Sequence, residues 1–145
     1  MSRAKRALQT EAATLINWFM NADSGAISAG RLLFRAVTSA SGSIGMQKWE
    51  FARTLKSISS YLAEIAEALR LGESPLRLFA LLRAKTITFI IVAREVVPEQ
   101  TAREIALHLV SSTRPANHTN AVAAVACDFE TASNLFKSVS ELLTR

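Results

Sequence analysis

One stretch of the sequence, from Tyr61 to Val97, constrains the fold more than any other. An amphipathic segment leads into the turn Gly72-Glu73-Ser74-Pro75, and the most apolar segment of the chain follows. Gly72 is the residue type that ends helices, and Ser74 is a favourable N-cap. Proline fits a first helical position because its missing N–H is not needed there. The stretch therefore predicts two consecutive helices joined by a tight turn.

The second of these helices is apolar on nearly every side from Leu76 onward, which is typical of a helix enclosed by others. Its longest uncharged run, Thr86 to Ala93, is shorter than the roughly 20 apolar residues that a membrane span needs. The sequence therefore predicts a central buried helix. Any contact with a membrane is expected to be peripheral.

Apolar residues recur every three or four positions through most of the remaining sequence, as they do in amphipathic helices. Helices are predicted at about Thr10–Met20, Ile27–Thr38, Met46–Ser57, Tyr61–Leu71, Pro75–Val97, Pro98–Leu109, Asn120–Ala126 and Glu130–Thr144. No strand pattern, internal repeat or long heptad run is present. These elements predict an all-α fold, with seven to eight helices packed around the central hydrophobic helix.

The length and composition favour one domain spanning residues 1–145. Half of the 145 residues are hydrophobic, which is enough for one core, whereas two domains would each be too small. Cys127 is the single cysteine, so no internal disulfide can form and a reducing compartment is expected.

The sequence contains no arrangement of residues typical of catalysis or of metal binding. His108 and His118 are not linked by spacing to Cys127, as a base and its nucleophile would be. One cysteine, two separated histidines and two aspartates, Asp23 and Asp128, give no set of metal ligands. We therefore expect neither an enzyme nor a cofactor.

The net charge of +5 leaves an alternative function open, that of a basic helical, nucleocapsid-like protein that binds nucleic acid. A basic stripe across the first three helices would contain Arg3, Lys5, Arg6, Arg31, Arg35, Lys48, Arg53 and Lys56. Such a stripe would bind phosphates in a salt-dependent manner. Acidic residues are interleaved along the chain and no recognition motif is present, which counts against nucleic acid as the partner.

The residues around the turn resemble the B-cell-lymphoma-type (Bcl) family of apoptosis regulators. In that family an amphipathic helix and a glycine-containing turn precede an Asn-Trp-Gly-Arg signature, which opens a central hydrophobic helix. The corresponding residues here are Tyr61, Ile65, Glu67, Leu69, Arg70 and Gly72, then Ser74-Pro75-Leu76-Arg77 and LFALL. Leu33 to Thr38 lies where the family's third homology region would be but lacks its Gly-Asp pair, and Asp128-Phe129 only hints at the second region.

The resemblance implies a groove, formed by the second to fifth predicted helices, that accepts the amphipathic death-motif helix of a pro-apoptotic partner. Arg77 would pair with an aspartate of that helix. Glu67 and Arg70 would form the polar rim, beside the turn residue Ser74. The candidates for the apolar floor are Phe51, Leu55, Ala68, Phe79 and Ala80.

One departure from the family's pattern bears on selectivity. Leu76 occupies the place of the glycine that lets the ligand backbone approach closely. We therefore expect a narrowed groove and weak or highly selective binding.

The compact chain, without a membrane tail, resembles viral members of the family. The implied function is inhibition of apoptosis by sequestering death-motif proteins in the host cytoplasm, with association with mitochondria left open. A third hypothesis is a structural adaptor that holds an unrelated helix or a second copy of itself as a homodimer.

Overall fold

The computed structural model describes residues 25–39, 47–94, 96–113 and 122–144, and every regular element in these ranges is an α-helix. The five helices are α1 (Gly25–Ser39), α2 (Gln47–Arg70), α3 (Leu76–Ala93), α4 (Glu99–Ser111) and α5 (Val122–Leu143). The predicted all-α class is confirmed. The predicted helix at Thr10–Met20 lies outside the described residues.

Two pairs of predicted helices are single helices in the structure, so the predicted division into seven to eight helices is wrong at these two places. Ser59 and Ser60 do not interrupt α2, and residues 127–129 do not interrupt α5. Serine weakens a helix when its hydroxyl competes for the local backbone. The Ser59 hydroxyl instead bonds to α5, at Ser133, and therefore leaves the backbone of α2 intact.

The helices form a ring in which each packs mainly against two others, in the order α1, α4, α3, α2, α5 and back to α1. Buried apolar side chains from all five fill the interior. The rings of Phe51 and Phe89 lie 5.7 Å apart between centroids, and those of Phe79 and Phe129 lie 6.3 Å apart. Within the described ranges α3 is one member of this ring, so the prediction that it is enclosed by the other helices is wrong.

Helices α2 and α5 run antiparallel and pack closely through small residues. The Ser59 hydroxyl lies 2.8 Å from the Ser133 carbonyl oxygen, and the Ser133 hydroxyl donates to the Ser59 carbonyl at 2.7 Å. The Ser140 hydroxyl donates to the Ala52 carbonyl at 2.7 Å. Small side chains let the two backbones approach, and these bonds satisfy the hydroxyl groups of three buried serines.

Helix α1 approaches α5 just as closely at Gly30. A Cβ atom at this position would lie 2.9 Å from Leu135 Cδ1 and 3.0 Å from Leu135 Cβ. The glycine therefore sets the distance between these two helices.

The end of α2 at Gly72 has the geometry that its sequence predicts. Gly72 has a φ of 72°, which favours glycine. The Glu73 N–H donates to the Ala68 carbonyl at 2.8 Å and the Gly72 N–H to the Leu69 carbonyl at 3.3 Å, which is the Schellman arrangement. The Leu76 N–H lies 3.4 Å from the Ser74 hydroxyl. Helix α3 begins at Leu76 with Pro75 as its N-cap, so the predicted N-cap at Ser74 and the predicted first helical position at Pro75 are each one residue too early.

Helix α3 ends earlier than predicted, at Ala93. The Ala93 carbonyl accepts hydrogen bonds from the N–H groups of Val96 at 3.0 Å and Val97 at 2.9 Å. No helix in the described part of the chain is long and apolar enough to cross a membrane.

Candidate partner-binding surface

Most of the predicted apolar floor lies in the core of the bundle. Phe51 and Leu55 have no exposed surface, Phe79 is 1 % exposed and Ala68 is 6 % exposed. In this conformation these side chains fill the interior of the ring and are not accessible to a partner helix. Among the five predicted floor residues, Ala80 alone is exposed.

The walls of the predicted groove are also not brought together. The resemblance places the helix corresponding to α1 beside those corresponding to α2 and α3. In the structure α1 packs mainly against α4 and α5, while α3 packs mainly against α2 and α4. Any helix-binding surface that involves Arg77 must therefore lie on the outside of α3.

The predicted rim residues lie near the α2–α3 turn and have different surroundings. Arg70 forms an ion pair with Glu130 of α5, and both side chains remain about half exposed. Glu67 is exposed and Ser74 is half-buried. Because Arg70 already has an acidic partner, it contributes little free charge to a ligand.

Arg77 is exposed in the first turn of α3 and forms no ion pair with any residue that the structure describes. A cation at a helix N-terminus opposes the helix dipole, so this position is mildly unfavourable for the isolated fold. Leu76, beside it, is 39 % exposed. The two residues that carry the resemblance most directly are therefore both accessible.

An uncharged strip continues from Arg77 along the outside of α3. Ile87 is 65 % exposed and Ile91 is 58 % exposed, and the strip also contains Ala80, Ala84 and Thr88. These residues recur at spacings of three, four and seven, so they share one helical face. We refer to this face, Ala80, Ala84, Ile87, Thr88 and Ile91, as the outer strip of α3.

An arginine lies at each end of the outer strip. Arg77 precedes Ala80, and Arg94, which is also exposed, follows α3 directly. At 1.5 Å per residue the two arginines are about 25 Å apart along the helix axis. Arg83, also exposed, lies three residues after Ala80 and four before Ile87, so it borders the strip on one side. The outer strip is therefore an uncharged surface with a positive charge at either end and a third beside it.

The sequence prediction missed Ile87 and Ile91 as accessible residues, although a signal for them was present. Apolar residues on every side of a helix are typical of an enclosed helix, so the sequence predicts that both isoleucines are buried. Ala80 and Ala84 lie on the same face of α3 as the two isoleucines. The opposite face enters the core and contains Phe79, Leu82, Thr86, Phe89 and Ala93. The two small alanines are the signal in the sequence that the first face points outward.

The described ranges contain no group of three or more histidine, cysteine, aspartate or glutamate side chains placed to hold a metal ion. Cys127 is exposed. Burial raises the pKa of Asp128 above its ordinary value of 3.8, and no cofactor chemistry is associated with it.

Comparisons with known proteins identify no relative. No family model matches the chain, no curated protein matches it, and no solved structure matches its fold.

Proposed function

We propose that this chain binds an amphipathic helix of a partner protein along the outer strip of α3. The observation that carries the proposal is the exposed Arg77, without an ion pair in the described residues, at the start of an exposed uncharged strip. An acidic residue of the partner would form a charge-assisted hydrogen bond with Arg77. Apolar anchors at helical spacing would cover Ile87 and Ile91.

The charges at the ends of the strip favour a partner of different sequence over a second copy of this chain. Two α3 strips packed in parallel would bring Arg77 against Arg77 and Arg94 against Arg94. Packed antiparallel, they would bring Arg77 against Arg94. Like charges are repelled in both arrangements. A partner helix with acidic residues near both ends suits the strip better.

The specific partner that we propose is the death-motif helix of pro-apoptotic Bcl-family proteins. The support for this finer proposal is the resemblance from Glu67 to Arg77, in which the arginine that pairs with the death-motif aspartate is kept in register. By holding such helices the chain would act as an inhibitor of apoptosis. Its place of action would be the host cytoplasm, including the surface of mitochondria where those partners gather.

Isothermal titration calorimetry with a panel of death-motif peptides tests the proposal. Arg77→Ala is expected to weaken binding by about 1.5–3 kcal/mol, or roughly 10- to 150-fold, because it removes a hydrogen bond between charged groups. Arg53→Ala is the matched control. It removes the same charge from an exposed position on α2 and is expected to leave binding unchanged.

Two further reagents, an idealised helix and the Ile87→Glu variant, separate the proposal that the strip binds amphipathic helices from the proposal that its partner is a death-motif helix. An idealised amphipathic helix with acidic residues at both ends should bind the native chain and lose affinity to Ile87→Glu. If this helix binds and no death-motif peptide does, the strip accepts helices but the apoptotic function is wrong. Equal effects of Arg77→Ala and Arg53→Ala would contradict the general proposal as well.

A further inference from the structure

The fold gathers basic side chains on a face away from α3. Helix α5 lies between α1 and α2 in the ring, so the outer surfaces of α1, α5 and α2 are adjacent. Arg31 and Arg35 are exposed on α1, Lys137 on α5, and Arg53 and Lys56 on α2. We refer to these five residues as the basic face.

Basic side chains outnumber acidic ones in the parts of the helices that form this face. Residues 25–39, 47–63 and 131–140 together contain six lysines and arginines and one acidic residue, Glu50. Three exposed acidic residues, Glu64, Glu130 and Glu141, directly adjoin these ranges. The basic face therefore has an excess of cations, with acidic residues at the ends of its segments.

The basic face is grooved, and its cations line the grooves. A cavity of about 330 Å³ between α2 and α5 is lined by Lys56 and Lys137 together with Ser60 and Asn134. A second cavity, of about 230 Å³, adjoins it at Lys56 and is lined by Arg53 and Trp49. A third, of about 360 Å³, lies between α1 and α5 and is lined by Arg31 and Arg35.

Aromatic side chains are exposed among these cations. Trp49 is 57 % exposed at one end of the α2–α5 groove, and Phe34 is 41 % exposed beside Arg31 and Arg35. A ligand with both anionic and planar parts could contact the cations and these exposed rings together. A nucleic-acid strand with unpaired bases has these two properties.

We propose that the basic face binds single-stranded nucleic acid. Lysines and arginines of the α2–α5 groove contact phosphates, hydroxyl and amide groups of Ser60 and Asn134 donate to phosphate or sugar oxygens, and Trp49 stacks on a base. An anionic membrane surface would satisfy the cations but offers no base to Trp49. A duplex keeps its bases stacked on one another and offers none either.

The contribution of the cations is tested by measuring the affinity for a labelled 15-nucleotide single strand by fluorescence anisotropy, over a series of salt concentrations. The Lys56→Gln/Lys137→Gln double variant removes two phosphate contacts. The slope of log affinity against log salt is expected to become shallower by about 1.4, since each contact to a single strand contributes about 0.7. Arg94→Gln/Arg103→Gln lowers the net charge equally, at exposed positions outside the basic face, and should keep the native slope.

Stacking is tested separately with Trp49→Leu. This variant is expected to weaken binding to the single strand by roughly tenfold or more while leaving the salt slope unchanged. The circular dichroism of every variant is compared with that of the native chain, so that a loss of folding is not mistaken for a loss of binding.

Three outcomes would overturn the proposal. One is the absence of binding to the strand at low salt. Another is an equal loss of affinity in the two double variants, which would indicate attraction to net charge alone. The third is that the chain binds vesicles of phosphatidylserine and phosphatidylcholine, or a duplex of the same length, more tightly than the single strand, and that Trp49→Leu does not change this affinity. That result would assign the face to a membrane or to double-stranded nucleic acid.

Discussion

Two adjacent residues at the start of α3 have opposite consequences for a partner helix. Arg77 offers an accessible charge, whereas Leu76 places an exposed branched side chain where the Bcl-family signature has glycine. A glycine leaves room for the backbone of a ligand, and a leucine at the same place occupies that room. Selectivity would therefore be determined at Leu76 and affinity at Arg77.

Leu76→Gly is expected to broaden the set of death-motif peptides that the chain binds. Removing the side chain lets bulkier ligand residues approach the first turn of α3. Leu107→Gly, at a leucine that is 66 % exposed in α4, controls for the helix-weakening effect of glycine, which is about 1 kcal/mol. Titration curves that do not change across the panel would show that Leu76 does not restrict binding.

Asp128 gives the stability of the protein a specific pH dependence. Burial raises the pKa of its carboxyl group in the folded state, so folding favours the protonated form. Above the raised pKa the ionised group destabilises the fold. This penalty disappears as the pH falls through the raised pKa and below 3.8, where both the folded and unfolded states are protonated.

Asp128→Asn should therefore increase the free energy of unfolding at neutral pH and have little effect below pH 3.8. Urea denaturation at several pH values measures the difference. Glu141→Gln, at an exposed position of the same helix, is the control. If the free energy of unfolding of Asp128→Asn differs from that of the native chain by the same amount at every pH, burial of the carboxylate is not the cause of the difference.

At the scale of whole elements, the contact between α2 and α5 depends on small residues at matching intervals. Ala52 faces Ser140 and Ser59 faces Ser133, so the contacts recur every seven residues along both helices in opposite directions. The same register places Ala66 opposite Ala126, and both are buried. Larger side chains at these positions would separate the two helices.

Ser59→Val is expected to destabilise the fold by about 2–4 kcal/mol. The loss of a buried hydrogen bond accounts for about 1 kcal/mol, and overpacking of the close helix contact accounts for about 1–3 kcal/mol. Ser60→Val makes the same substitution at the next residue of α2, where the side chain is exposed, and should cost less than about 1 kcal/mol. Chemical denaturation of both variants measures the two values, and equal values would show that the serine contact is not important for stability.

The success of sequence prediction differed between elements for physical reasons. The end of α2 at Gly72 was predicted correctly and the start of α3 to within one residue, because glycine, serine and proline determine backbone conformation within a few residues. The continuity of α2 through Ser59 was not predicted, because the hydroxyl that would weaken the helix is engaged by Ser133, 74 residues away. Tertiary contacts of this kind leave no local signal in one sequence.

For a similar reason, only some of the predicted site residues lie on the surface of the structure. Arg77 was identified from its register with a family signature, and its exposure in the structure is compatible with that role. The apolar floor was placed on Phe51, Leu55 and Phe79, because apolar residues on amphipathic helices suit a groove and a core equally well. Only the arrangement of the helices shows that these three side chains point inward.

At the scale of the whole molecule, the ring separates the two proposed surfaces. Helix α3 is bordered by α2 and α4, whereas α5, at the centre of the basic face, is bordered by α1 and α2. A partner helix on α3 and a nucleic-acid strand on α5 would therefore not compete for the same residues. Variants of one surface can be used as controls for the other.

Helices α2 and α5 are far apart in the sequence although they are in contact in the fold. This separation determines when their contact can form during synthesis on the ribosome. The Ala52 carbonyl receives its hydrogen bond from a hydroxyl 88 residues later in the chain. Until that serine has been translated and has left the exit tunnel, the small-residue face of α2 has no partner. The bundle therefore cannot close as its helices emerge one by one, and this face of α2 stays without its α5 partner until translation has passed Ser140.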